Sequence, residues 1–219
     1  MEAREKRKLE RAQQVESRRT EICEAALEEF IEKGIDRARI EDIARRAEVG
    51  PATVYRYFEN KQNLAVECAA GFWSSQVDAL LPEIEKVKKA DLSGYEQVAA
   101  LLQVVGGLYH TNPIWLRLLE QFDNYVVREK IPRELLTEYE NSIFRTQNIL
   151  LDAIWAGQKD GTIRKDLDGR SFCVTTTHAI TALSQKLLLR GDVLQSDAQL
   201  NAETQLRMLV GMALSYIRV

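Results

Sequence analysis

The stretch from Arg45 to Lys61, RRAEVGPATVYRYFENK, holds the side chains best suited to chemistry. It offers guanidiniums, phenols, a threonine hydroxyl and an ammonium, and it lacks the histidine or cysteine that acid–base or nucleophilic work would favour. Such a set suits base edges and phosphates. Arg56 can make a bidentate pair with a guanine edge, worth about 1–3 kcal/mol of discrimination, or hold a phosphate. Ala52 and the methyl of Thr53 suit a thymine methyl, while Tyr55 and Tyr57 suit phosphate oxygens or base edges. Lys61 suits a phosphate, because its ammonium and a helix N-terminus both favour one. Arg45 is the DNA contact expected from the preceding helix, with Arg46 a solvent charge. Further upstream Arg19, beside Arg18 and Thr20, could reach a phosphate.

Short helices must position these groups. Ile40, Ile43, Ala44 and Ala47 recur at the spacing of one helix face, and Val54 and Phe58 lie four apart on another. Between them Glu48-Val49-Gly50-Pro51 stops one helix and starts the next. Gly50 can cap the new helix and Pro51 suits its first turn, where an amide hydrogen would be unpaired anyway. Two short helices joined by a tight turn make a helix-turn-helix, whose second helix is the one that enters a major groove. An earlier helix, about Arg18 to Lys33, carries Ile22, Ala25, Ala26 and Phe30 on one side, with Gly34 at its end, and would brace the pair. Ile43, Ala44, Ala47, Val54 and Phe58 are expected in the core.

In order and spacing, the run Arg19 to Leu64 resembles the DNA-binding domain of TetR/AcrR-type transcriptional regulators. The matching positions are Ile22, Ala25, Ala26, Phe30, Gly34, Ile43-Ala44, Ala47, Val49, Thr53-Val54-Tyr55, Phe58, Lys61 and Leu64. The resemblance implies an all-α fold of about nine helices, with an N-terminal three-helix DNA-binding domain and a larger helical ligand-binding and dimerisation domain. The expected division is a charged extension over 1–17, the DNA-binding domain over 18–64 and the larger domain over 65–219. The resemblance also implies that Lys61 and the aromatic positions contact the DNA backbone. The sequence departs from the family pattern at Arg39, where a Ser or Thr usually caps the second helix. It departs again at Glu41, where some relatives carry a basic residue, and at Gly50, where a serine cap is usual. Glu48 replaces the usual turn glycine and requires a backbone geometry costly for any other residue.

Composition sets the outer limits. The chain has 219 residues, is 45% hydrophobic and carries a net charge of −3, so a DNA-binding surface must be a local basic patch. No apolar run reads as a signal peptide or membrane span, which points to a cytoplasmic protein with no membrane partner. Cys23, Cys68 and Cys173 are scattered and read as reduced thiols, with no metal site and no cofactor. Two histidines far apart and the absence of a phosphate-cradling loop or nucleophile elbow argue against an enzyme. Residues 1–17 mix Arg4, Lys6, Arg7, Lys8 and Arg11 with Glu2, Glu5 and Glu10. They read either as a solvated extension of the first helix or as a basic arm on DNA.

The remainder reads as helix and loop. Helices are expected over about Lys61–Leu81, with Asn60 as cap and Pro82 as end or kink, then Tyr95–His110, Pro113–Arg128, Pro132–Asp160, Gly169–Arg190 and Leu200–Arg218. A break is expected over Gly191–Ala198. An effector pocket would draw on Phe72, Trp73, Gln76, Tyr109, Trp115, Leu118, Phe122, Tyr125, Phe144, Asn148, Trp155, Thr177 and His178, with ordinary core packing as the competing reading of each. His178 also reads as a core histidine. The aromatic candidates favour a lipophilic or planar small molecule. In the last two helices Leu183 and Leu187, then Leu206, Leu209, Val210, Ala213, Leu214 and Ile217, form apolar stripes. Met208, Gly211, Met212 and Tyr216 occupy the other faces of the final helix, so it wants burial on more than one side. The resemblance implies a two-fold homodimer through these helices.

The expected function is a ligand-responsive repressor that binds double-stranded operator DNA at a palindrome. The alternatives are a helical protein-interaction module, or an activator or ligand-independent regulator of the same fold.

Overall fold

The computed structural model describes residues 2–195 and 199–219. Helices follow one another as α1 (Glu2–Lys33), α2 (Ile40–Arg46), α3 (Pro51–Phe58), α4 (Lys61–Lys89), α5 (Gly94–Thr111), α6 (Pro113–Glu129), α7 (Thr137–Asp160), α8 (Gly169–Arg190) and α9 (Ala202–Ile217). Among the described residues the one strand-like pairing is a lone bridge between Ile163 and Arg218. The fold is all-α with an N-terminal helix-turn-helix, as the periodicity requires.

Several boundaries differ from expectation for local reasons. The charged extension is not a separate segment: α1 begins at Glu2, because residues 2–17 contain no Gly or Pro and are rich in good helix formers. Helix α4 runs through Pro82 to Lys89. A 3-10 turn over Arg133–Leu136 follows Pro132, and α7 starts only at Thr137. The break expected over Gly191 to Ala198 lies in part outside the described residues; Gly191–Val193 form a 3-10 turn. Helix α9 starts at Ala202 because the side chain of Asn201 accepts the Thr204 amide at 2.8 Å.

The chain forms two compact units. The first comprises residues 1–72 and 121–139, so the second half of α6 and the turn after it belong with the helix-turn-helix. A single cut after Leu64 does not reproduce that division. In this unit α2 packs on α1 and α3 on α2, around Ile22, Ala26, Phe30, Ile43, Ala44, Val54, Phe58 and Leu64, all buried. Ala47, expected in the core, is half-buried at the end of α2. The side chain of Gln121 accepts the Ile35 amide at 3.3 Å, and Arg128 pairs with Asp36, one of its contacts at 2.6 Å.

The second unit comprises residues 73–120 and 140–219. Here α5, α8 and α9 pack on one another around Val98, Leu102, Ile154, Ile163, Ile180, Leu206 and Ile217. A capping box starts α5: Ser93 accepts the Glu96 amide, and the Glu96 carboxylate accepts the Ser93 amide at 2.8 Å. Gly94 is required just inside, because a Cβ there would lie 1.9 Å from the backbone of Gly157 on α7.

Candidate nucleic-acid interface

The turn that presents α3 is built from backbone bonds. The amide of Val49 donates to the Ala44 carbonyl at 2.9 Å, and that reversal holds Glu48 at φ 53°. This is the left-handed region, where an L residue is disfavoured by roughly 1–2 kcal/mol. Gly50 caps α3 in an extended conformation with Pro51 at the first turn, and Arg39 precedes α2 without any side-chain cap. A second glutamate, Glu59, ends α3 at φ 64°, and Asn60 then caps α4 by accepting the Asn63 amide at 2.8 Å. Both ends of α3 thus turn on a glutamate in a conformation that glycine would adopt without strain.

Between these turns α3 buries Val54 and Phe58 and leaves Ala52, Tyr55 and Arg56 exposed, with Thr53 and Tyr57 half-buried. Arg56 makes no ion pair among the described residues, and its guanidinium lies 5.3 Å from the centre of the Tyr57 ring. That leaves its fork of donors open to a base edge or phosphate. Arg45 is exposed on α2 in a 2.5 Å pair with Asp42, a surface contact of small energy that a phosphate can displace. Lys61 is half-buried. It donates to the Asp36 carbonyl at 3.0 Å, and two of its three N–H groups are left for another acceptor. Burial lowers its pKa, opposed by Asp36 and Glu129.

Two arginines do other work than expected. Arg19 is turned inward: it donates to the Tyr57 carbonyl at 2.8 Å, pairs with Glu67 and lies over the Phe58 ring at 4.7 Å. It ties the end of α3 to α1 and α4, and it leaves the DNA-facing set. Arg46 is not a free solvent charge. Glu32 and Glu28 bond it and raise its pKa, and the buried Glu29 pairs with it at 2.9 Å. The residues missed are Arg37 and Arg39, exposed around the start of α2 with no ion-pair partner among the described residues. The signal was available, since arginines flanking a helix N-terminus beside a recognition helix are well suited to phosphates.

In the second unit the effector candidates do not converge on one cavity. Phe72, Phe122 and Tyr125 fall in the first unit, where Phe122 packs edge-on against Tyr139 at 4.8 Å. Burial lifts the Tyr125 phenol to about 12. Phe144, Asn148, Trp155 and His178 are exposed. They occupy outward faces of α7 and α8, so His178 is not a core histidine and these four line no enclosed site. Thr177 bonds back to the Cys173 carbonyl at 2.8 Å, and Tyr109 packs on the unit's core. The candidates that do cluster are Trp73 and Trp115, edge to face at 5.1 Å, and Gln76, which accepts from Asn112 at 2.8 Å. Leu118 is buried on the same helix as Trp115.

The expected dimer stripe also needs correction. Leu187, Leu206, Val210 and Ile217 are buried in the unit's own core, and Leu183, Leu209, Ala213 and Leu214 pack against it. Packing on α5 and α8 consumes the most apolar face of α9. The face left outward carries Met208, Met212 and Tyr216, each more than half exposed. Beside it a cavity of about 430 Å³ opens between α8 and α9, lined by Ser171, Phe172, Thr175, Ala179, Met212 and Tyr216 among others. None of the effector candidates lines it.

Comparison with known proteins agrees with this geometry. The family model for bacterial regulatory proteins of the tetR family matches residues 22–68. The fatty acid metabolism regulator protein of Bacillus subtilis is 26% identical over 153 residues, 68% of this chain and 73% of that protein. The HTH-type transcriptional repressor KstR2 of Rhodococcus jostii is 24% identical over 157 residues, 69% of this chain and 70% of that protein. The crystal structure of the regulator FadR of Bacillus subtilis with stearoyl-CoA superposes with a TM-score of 0.68 at 18% identity, covering 91% of this chain and 99% of the other. A helix-turn-helix with an open polar face, the family match across it and the shared all-α fold lead to one assignment: residues 22–68 carry a helix-turn-helix of the tetR type, and the chain is similar over about two thirds of its length to transcriptional regulators that carry one.

Proposed function

We infer that the chain is a ligand-responsive repressor that binds a palindromic operator as a homodimer. The observation that carries this reading is the outward face of α3, where Tyr55 and Arg56 stand exposed beside Ala52 between turns at Glu48 and Glu59. One such helix reads only a few base pairs, so a specific site needs two, roughly 34–36 Å apart or a multiple of that. Arg45, Lys61, Arg37 and Arg39 supply phosphate contacts that set register. The dimer contact is the outward face of α9 with its neighbours on α8, because adjacent exposed methionines and a tyrosine favour a partner surface over water.

The effector is a small lipophilic molecule held beside Trp73 and Trp115 in the second unit. Trp115 is 5% exposed and its indole N–H has no acceptor among the described residues. A ligand carbonyl would satisfy it. A molecule that favours one dimer state releases DNA, and by linkage the operator weakens ligand binding by the same factor. The relatives add support through their names, one a repressor and one a fatty acid metabolism regulator.

Selection of bound sequences from a random duplex library, at stated salt, tests the reading. Enrichment of a palindrome is expected, and stearoyl-CoA serves as the first effector probe, through release of the selected duplex. No enrichment over bulk DNA would overturn the assignment of α3.

A further inference from the structure

The charged residues ahead of the helix-turn-helix are sorted by face. Helix α1 is continuous from Glu2 to Lys33, and five turns of an α-helix take 18 residues. Arg7, Lys8 and Arg11 therefore stand in register with Ala25, Ala26 and Glu29, all three buried against the rest of the first unit. The face that packs on the helix-turn-helix farther along is cationic here. Arg18 falls on the same arc and is paired with Glu21 at 2.7 Å. By the same count Lys6 and Glu10 align with Glu24 and Glu28, which are exposed on the other side. Arg7, Lys8 and Arg11 are exposed and have no ion-pair partner among the described residues.

The position of this face matters as much as its charge. Arg19 donates to the carbonyl of Tyr57, so the packed part of α1 begins against the last turn of α3. From there the extension runs on, and Arg7 lies roughly 18 Å along the axis from Arg19. The chain's net charge of −3 does not attract a polyanion, which makes a segregated cationic face the more telling. The family match begins only at residue 22, so it assigns these residues no role.

We propose that the Arg7–Lys8–Arg11 face of α1 is a second DNA-binding surface, which lies on the phosphate backbone flanking the bases contacted by α3. Its ligand is duplex phosphate without regard to sequence. The proposal rests on the DNA-reading assignment of α3, but it is separately testable, because phosphate contacts act through salt dependence and base contacts through sequence.

The experiment uses the full chain and measures affinity against sodium chloride concentration on two duplexes, one selected from the random library and one of arbitrary sequence. The triple substitution Arg7→Gln/Lys8→Gln/Arg11→Gln is expected to flatten the slope of log affinity against log salt on both duplexes. The loss is about 0.9 per contact removed. The order of preferred sequences stays the same. Lys6→Gln, on the other side of the helix, leaves the slope unchanged, and far-UV circular dichroism reports the same helix content throughout. An unchanged slope in the triple variant overturns the proposal. So does an equal effect of Lys6→Gln and Arg7→Gln, which would mean diffuse charge rather than a face. An unchanged DNA slope with lost binding to phosphatidylglycerol vesicles would assign the face to an anionic membrane surface instead. If the wild-type chain enriches no sequence, the reading of α3 fails, while the slope on arbitrary duplex still decides the role of the extension.

Discussion

Helices α3 and α9 each leave one face uncovered, and the two faces are of opposite kinds. The open face of α3 carries a phenol, a guanidinium and an alanine. The open face of α9 carries Met208, Met212 and Tyr216. The first is stable in water and specific for a polar ligand. The second exposes a connected apolar strip that gains free energy only when another surface covers it, at about 25 cal/mol per Å² removed from water. Exposure alone therefore assigns neither role. The chemistry of the exposed atoms does, and it is the ground on which α3 is proposed to meet DNA and α9 a second copy of the chain.

That contrast can be broken at either end. The largest effect is expected from Met208→Glu with Met212→Glu, which puts unpaired carboxylates into an apolar contact. The dimer should lose at least about 3 kcal/mol, roughly a hundredfold in dissociation constant. Sedimentation equilibrium reads it, and a dimer of unchanged strength would remove α9 from the interface. Next is Arg56→Ala, which should cost about 1–3 kcal/mol per half-site and relax preference at one base pair while leaving the oligomer intact. Uniform weakening on all sequences would make Arg56 a phosphate contact instead.

Arg19→Ala sharpens the comparison by separating support from contact. Loss of its charged bond to the Tyr57 carbonyl should lower stability by about 1–2 kcal/mol in urea unfolding. Weaker DNA binding at unchanged stability would return Arg19 to the DNA surface. In the second unit, acid should loosen the start of α5. The Asp160 carboxyl has a lowered pKa because it accepts the Gly94 amide and bonds Thr162. A depressed folded-state value means its contribution is complete above the ordinary carboxylate range, near about 4, and is lost as pH falls through the folded value. Asp160→Asn should flatten that acid limb, and an identical pH profile would deny the bond a role. The smallest change, Glu48→Gly, should stabilise the chain by up to about 1 kcal/mol, as release of left-handed strain exceeds the added unfolded-state entropy. Thermal melting measures it, and a lower midpoint would count against strain at the turn.

How far the chain could be read in advance follows the range of the forces involved. The turn before α3 is legible residue by residue, since Glu48, Gly50 and Pro51 act through their own backbone angles, and so is the start of α4, since Asn60 acts through an amide three residues on. The left-handed Glu59 is not legible in the same way: Asn60 marks where α4 begins, but a glutamate carries no signal for a positive φ. Arg19 and Arg46 depart from the sequence expectation for another reason. Their partners Glu67, Tyr57, Glu28 and Glu32 lie on other helices, and sequence spacing carries no record of which helices meet.

What the sequence determined by itself was the helical class, the helix-turn-helix with its polar reading face, and the excess of apolar surface on the last helix. Each rests on periodicity or on a local cap, and those act within a few residues. Only the tertiary structure decided which apolar face of α9 goes inward. Leu206, Val210 and Ile217 on one side and Met208, Met212 and Tyr216 on the other both satisfy a helical pattern. The choice depends on the shapes of α5 and α8 that α9 packs against. Packing favours the branched side chains, which fill a core closely in few rotamers. The flexible methionines are left outside, where a partner can mould them.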